Sequence, residues 1–181
     1  MEKVTLDRGG RRLFEGLDLA LGAGDAVLVT GPNGVGKSSL LRLAAGLLTP
    51  AAGRVDRAPA ALVDEHLALD ERLPLGRALA FWASLDGGDP ARGMADMGLS
   101  HLADVPVRML STGQRKRAAL ARLIASDRPL WLLDEPANGL DTDGLNRLAG
   151  ILAAARRSGR AILVASHQPI GLDDHRTAAL A

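Results

Sequence analysis

The run Gly31-Pro-Asn-Gly-Val-Gly-Lys-Ser38 constrains this chain more than any other segment. It fits G-x-x-x-x-G-K-[ST], a loop whose backbone N–H groups turn inward around phosphate oxygens. Such a loop needs a strand before it and a helix after it. Asp25 to Thr30 is a short, β-branched apolar run that suits a buried parallel strand, and Ser39 to Leu48 has the apolar spacing of a helix. Gly31, Gly34 and Gly36 free the backbone to wrap an anion, and the helix N-terminus adds partial positive charge. Pro32, Asn33, Val35 and Ser39 belong to the same nucleotide-binding run. Lys37 reaches the β- and γ-phosphates, and Ser38 is placed to ligate Mg²⁺. The cofactors expected are ATP and Mg²⁺.

Composition narrows the class. A chain of 181 residues suits one α/β domain with a full-sized core. The net charge of +1 gives no bias toward nucleic acid or acidic membrane surfaces. Without cysteine there are no disulfides, thiolate metal sites or cysteine nucleophiles, which fits a reducing compartment. Met1 to Arg8 lacks the apolar core of a signal peptide. No segment approaches the ~18 apolar residues that cross a bilayer, so the chain is expected to be soluble and to reach a membrane only through a partner. The aromatic residues are Phe14, Phe81, Trp82 and Trp131. That scarcity argues against a nucleic-acid binder, which needs ring faces to stack on bases.

The opening third predicts strands at Val4–Leu6, Leu17–Leu21 and Asp25–Thr30, with turns at Arg8–Gly10 and Gly22–Gly24. Ala60–Val63 is another short strand. The middle predicts helices over Leu75–Leu85 and Ala91–Gly98, separated by the breaker Asp86-Gly-Gly-Asp-Pro90. The last third alternates: a helix over Ser111–Ala125, a strand at Leu130–Leu133, a helix over Thr142–Arg157 and a strand at Ala161–Val164. This βα alternation implies a parallel sheet with helices on its faces.

Two further segments carry chemistry. Pro129-Leu-Trp-Leu-Leu-Asp-Glu-Pro136 is an apolar strand that delivers two adjacent carboxylates to its C-terminal end, where ligands bind in parallel sheets. Asp134 is placed to hold the Mg²⁺ shell, and Glu135 to polarise the water that attacks the γ-phosphate. Leu110-Ser-Thr-Gly-Gln114 reads as a helix capping box, Ser111 with Gln114 three residues on, and a capped helix N-terminus is also an anion site.

Gly31 to Ser38, Leu110 to Gln114, Leu132-Leu-Asp-Glu-Pro136 and Ser166-His167 stand in the order found in ATP-binding cassette (ABC) ATPases, and nearly the whole chain resembles that family. Leu110 to Gln114 resembles the LSGGQ signature, with Thr112 in place of the first glycine. Ala137-Asn-Gly-Leu-Asp141 resembles the D-loop, and His167 the switch histidine that contacts the γ-phosphate. The resemblance implies the P-loop NTPase fold of ABC ATPases: α/β, with a mostly parallel core sheet, an N-terminal antiparallel β part and a small helical subdomain. It implies one domain over residues 1–181, with the helical subdomain at about 68–127. It further implies a head-to-tail homodimer in which Ser111, Gly113 and Gln114 touch ATP held by the other subunit's P-loop. Lys37, Glu135 and His167 are then the catalytic set, with Ser38 and Asp134 on the metal.

The chain departs from the family pattern twice. No aromatic residue near Leu6 to Gly10 matches the ring that stacks on adenine; Phe14 is a candidate, or a guanidinium of Arg8, Arg11 or Arg12. The Q-loop glutamine is missing, and Glu65 or His66 stands in its place. A narrower resemblance lies in Arg8-Gly-Gly-Arg-Arg-Leu-Phe14, Leu79-Ala-Phe-Trp-Ala83 and His167-Gln-Pro169, which look like the ATPase subunit of the heme exporter of cytochrome c biogenesis, the Ccm system. That likeness implies integral membrane transporter subunits as partners and a peripheral position on the cytoplasmic face of the membrane. With no cysteine, and with nothing to pair the histidines His66, His101, His167 and His175 with a porphyrin-sized apolar pocket, no direct heme binding by this chain is expected. An ABC ATPase for another small molecule or lipid, and a soluble ABC-type assembly scaffold, are the alternatives.

Overall fold

The computed structural model describes residues 1–181. The chain opens with β1 (Glu2–Arg8) and β2 (Arg11–Leu17), followed by β3 (Ala26–Thr30), α1 (Lys37–Ala44), β4 (Ala52–Arg54) and β5 (Ala60–Val63). Three helices come next: α2 (Leu75–Asp86), α3 (Pro90–Asp96) and α4 (Thr112–Ala125). The chain closes with β6 (Leu130–Asp134), α5 (Thr142–Arg157), β7 (Ala161–Ala165) and β8 (Arg176–Ala179). Short 3₁₀ turns at Ser100–Leu102 and Val107–Met109 join α3 to α4.

The strands form two sheets. One is antiparallel, in the order β2-β1-β4. The other has five strands in the order β5-β6-β7-β3-β8, all parallel. Successive side chains of a strand point to opposite faces, and here both faces are apolar. Trp131 and Leu133 of β6, with Ile162 and Val164 of β7, join the cluster under α4 and α5. Their intervening neighbours Leu132, Leu163 and Ala165 join Val27, Val29, Leu40 and Leu41 under α1. This two-sided burial explains why β6 and β7 read as continuous apolar runs.

Local chemistry sets the helix boundaries. Asp89 caps α3 by accepting from the Ala91 N–H, and Asp141 caps α5 by accepting from Gly144 N–H. The helix after the P-loop is shorter than its apolar spacing predicts. It ends at Ala44 in a Schellman motif, with Leu47 N–H on the Arg42 carbonyl at 2.9 Å and Gly46 N–H on the Leu43 carbonyl at 3.1 Å. Gly46, at φ +80°, takes the left-handed position that the motif requires.

The predicted strand over Leu17–Leu21 is a correction. Gly9 and Gly10 have φ of +59° and +74°, the type I′ geometry that closes a hairpin in two residues. The strand pairing with β1 therefore begins at once, at Arg11, and ends at Leu17. Exposed Arg11, Arg12 and Glu15 mask its alternation in the sequence. β4 and β8 carry little β-branched character and were not expected.

Candidate nucleotide-binding and hydrolysis site

The parallel sheet gathers the site. β6, β7 and β3 are neighbours, so the segments following their C-terminal ends lie side by side: Asp134-Glu135, Ser166-His167 and Gly31 to Ser38. The ladder between β6 and β7 pairs Asp134 with Ala165, and the Glu135 N–H continues it onto the Ala165 carbonyl at 2.8 Å. That bond brings Glu135 beside the segment that carries His167.

The P-loop needs its glycines for space as well as for conformation. Gly31 has φ +142°, and a Cβ there would stand 2.5 Å from the Leu180 carbonyl oxygen. Gly36, at φ +117°, immediately precedes α1. The Lys37 side chain folds back over the loop, its ammonium donating to the carbonyls of Gly31 at 2.8 Å and Pro32 at 3.1 Å. Lys37 is only 9% exposed, so its charge is directed into the loop rather than into bulk solvent.

Asp134 lies at the junction of two cavities. One, about 370 Å³, is lined by P-loop residues together with Arg8, Leu13, Glu135 and His167. The other, about 510 Å³, runs past Asp64, Glu65 and His66 to the side chains of α4. Ser38, Asp134 and Glu135 line both. Burial pushes the Asp134 carboxyl above its ordinary range; the Ser38 hydroxyl bond opposes this, and the charges of Glu135 and Asp64 add to it. Asp64 behaves differently. Burial alone would raise it, but the His66 N–H at 3.0 Å and the Arg42 guanidinium at 3.1 Å together hold it below its usual value.

No group of three or more His, Cys, Asp or Glu side chains forms a self-contained metal cage. That donor set suits Mg²⁺, which takes one or two protein ligands and completes its octahedron with phosphate oxygens and water. Ser38 and Asp134, which line both cavities, would be the protein ligands of such an ion, and a cation there would relieve the charge that Asp134 shares with its acidic neighbours.

Glu135 and His167 form a linked pair. The His167 N–H donates to Glu135 Oε2 at 3.2 Å, and His167 Nε2 lies 3.7 Å from Oε1. The same Nε2 is 3.0 Å from Asn33 Oδ1, which ties the histidine to the P-loop. Glu135 adopts φ +47°, a conformation that costs a non-glycine residue about 1–2 kcal/mol. Such strain commonly marks functional positions.

Ser111, Gly113 and Gln114 do not line the P-loop cavity of their own chain. They form a complete capping box on α4, with the Gln114 N–H on Ser111 Oγ at 3.2 Å and the Ser111 N–H on Gln114 Oε1 at 2.9 Å. Ser111 is exposed at that helix end. The same helix sends Thr112, Arg115, Lys116 and Ala119 into the larger cavity.

Several residues of the site escaped the sequence patterns. Asp64 stands at the end of an apolar strand, as Asp134 does, so the signal was present but short. Its partner Arg42 lies one helical turn beyond Ser38. Lys116 is part of the basic run Arg115-Lys-Arg117, and only its helical phase relative to Thr112 distinguishes it. Burial lowers its pKa, opposed by the charges of Asp134, Glu135 and Asp64.

The family described as ABC transporter matches residues 14–138. The chain is 57% identical over 178 residues to the cytochrome c biogenesis ATP-binding export protein CcmA of Sphingopyxis alaskensis, covering 96% of this chain and 92% of that one. It is 55% identical to the protein of the same name from Novosphingobium aromaticivorans, covering 98% and 92%. Among solved structures, an ATP-binding subunit of an ABC transporter superposes with a TM-score of 0.89 at 20% identity, covering 99% of this chain and 84% of that one. At that identity the likeness concerns the fold.

Proposed function

We propose, for a chain that belongs to the ABC transporter family and within it to the CcmA-type ATPases, that it is the ATP-hydrolysing subunit of the membrane complex that exports or handles heme for cytochrome c maturation. The convergence of the P-loop, Asp134-Glu135 and His167 on three neighbouring strand ends carries the ATP-hydrolysing part of this reading, and the 57% identity to a CcmA protein carries the heme part.

The roles follow from position. The P-loop amides and Lys37 hold the phosphates, and Lys37 exchanges its loop carbonyls for the outer phosphate oxygens. Ser38 and Asp134 hold Mg²⁺, which when bound neutralises charge on those phosphates. Glu135 orients the attacking water and accepts its proton. His167, fixed between Asn33 and Glu135, presents its ring to the γ-phosphate. Ser111, Gly113 and Gln114 act on ATP held by a second copy, and the capped α4 N-terminus directs its dipole there.

No helix of the chain is long and apolar enough to cross a membrane. Transport therefore needs integral membrane subunits, with this chain peripheral on the cytoplasmic face. A cavity of about 400 Å³, lined by Leu67, Ala68, Leu69, Leu73, Ala78, Phe81 and Trp82 with Asp70, adjoins the Asp64–His66 segment through their shared neighbour Leu67. Phe81 stands 57% exposed on it. A segment of an integral membrane subunit fits this apolar groove, next to the segment where Glu65 or His66 stands in place of the usual glutamine.

The test is purification from membranes with the partners identified, followed by loss of the chain in the cell. Recovery of polytopic membrane proteins and loss of heme attachment to c-type cytochromes are expected. Normal heme attachment in its absence would exclude the heme role, and recovery without any membrane protein would favour an assembly scaffold.

A further inference from the structure

No phenylalanine or tryptophan lines the P-loop cavity. Phe14, on β2, is buried to 7%, and its Cδ1 lies 3.4 Å from where a Cβ of Gly36 would stand. It packs against the loop at Gly36. Trp131 is 3% exposed within the core, while Phe81 and Trp82 stack edge to face on α2. Arg12 is engaged on the surface by Asp7 and Glu15, each at 3.0 Å. Of the guanidinium groups of Arg8, Arg11 and Arg12, only that of Arg8 lines the cavity.

Arg8 is also held in place. Its Nη1 donates to Ser39 Oγ at 3.2 Å, and Ser39 is itself buried to 4% in the first turn of α1. No ion pair with a carboxylate quenches the guanidinium. Asp134, Glu135 and His167 mark where the terminal phosphate reacts. Arg8 enters from a different sheet, β1, and bonds to none of these three.

We infer that Arg8 is a nucleotide ligand that binds the inner, α-phosphate of ATP and anchors the nucleotide by charge where a stacked ring is absent. This rests on the ATP reading of the same cavity. A planar guanidinium offers several fixed donors, matches phosphate oxygens two at a time, and retains its charge at every physiological pH. Because the contact is to phosphate, affinity depends on ionic strength and only weakly on the base.

Equilibrium binding of ATP, ADP, GTP and inorganic tripolyphosphate to the purified chain tests this, with Mg²⁺, at two salt concentrations, for wild type, Arg8→Ala, Arg8→Gln and Arg8→Lys. Arg8→Ala is expected to weaken ATP, ADP, GTP and tripolyphosphate alike, on the order of 10–100-fold, the worth of a charge-assisted bond. It should also flatten the salt dependence. Arg8→Gln, which can still bond Ser39 but carries no charge, should resemble Arg8→Ala, and Arg8→Lys should recover part of the loss. Unchanged tripolyphosphate affinity with weakened ATP would place Arg8 on the base and overturn the inference. Full recovery by Arg8→Gln would reduce Arg8 to a support for α1, and equal affinity in all variants would leave it no role. Failure of the wild type to bind any nucleotide would instead reject the ATP reading itself.

Discussion

The His167 backbone N–H donates to Glu135 Oε2 at 3.2 Å, so the carboxylate proposed to act on the attacking water is oriented by the residue proposed to contact the γ-phosphate. The His167 ring closes the arrangement on Asn33 of the P-loop at 3.0 Å. The ring bond is open to mutation while the backbone bond is not. His167→Ala should therefore leave ATP affinity within about threefold of wild type and lower turnover by about 10²-fold or more. Asn33→Ala, which removes the positioning bond but leaves the His167 ring in place, should lower turnover less. Single-turnover hydrolysis with radiolabelled ATP measures both, and a larger loss in Asn33→Ala than in His167→Ala would reverse these roles.

The raised pKa of Asp134 has a cost in stability. Its ordinary value is 3.8, and burial moves it upward in the folded chain. Between 3.8 and the raised value the folded state binds the proton more tightly than the unfolded state, so stability falls as pH rises through that window. At neutral pH the full burden is present; below about 3.8 both states are protonated and it is gone. Asp134→Asn should thus raise the Tm of the nucleotide-free protein at pH 7, by about 2–4 °C for each kcal/mol relieved. The gain should shrink as pH falls toward 4, and Mg-ATP should stabilise wild type far more than the variant. Thermal melts at several pH values decide it, and a lower Tm for Asp134→Asn at pH 7 would contradict the account.

Much of the site was legible because its groups are joined to local patterns. The P-loop glycines, the Asp134-Glu135 end of an apolar strand and the capping box from Ser111 to Gln114 each follow from short-range rules, and the helix over Thr142–Arg157 has the bounds its periodicity predicts. Long-range pairing was less visible. The turn at Arg8–Gly10 was expected, but the strand that leaves it at Arg11 was hidden by exposed Arg11, Arg12 and Glu15, and nothing near Arg8 announces Ser39, 31 residues away. Arg42 reads as an ordinary surface cation of an amphipathic helix, and Lys116 as part of a basic run that is either a positive field near the nucleotide or a solvated helix face, until the tertiary fold brings acidic neighbours to them.

The signature helix predicts a result in trans. Ser111 lies outside its own chain's P-loop cavity, so Ser111→Arg should bind nucleotide as a monomer while failing to close a dimer or hydrolyse ATP. Mixing it with Lys37→Ala should not restore two working sites, because each composite site needs an intact half from both chains. Sedimentation with ATP and steady-state turnover report the two effects. Full activity of Ser111→Arg alone would make Ser111 a structural cap only.

Heme itself should not bind this chain. No histidine lines the apolar cavity between Leu67 and Trp82, His175 Nδ1 lies 2.6 Å from the Leu172 carbonyl, and there is no cysteine. Titration of the purified protein should leave the Soret band of free heme without a saturable shift. A stoichiometric shift abolished by His66→Ala or His101→Ala would make the chain a heme sensor as well.

Hydrolysis of ATP with Glu135 as the base is tested most directly by Glu135→Gln. The substitution keeps the side chain's size while removing the group that accepts the proton. Measured with Mg-ATP, turnover should fall on the order of 10²–10⁴-fold with ATP affinity retained, and the protein should accumulate as a dimer with unhydrolysed ATP bound. Turnover near wild type in Glu135→Gln, with no ATP-bound dimer, would contradict the account.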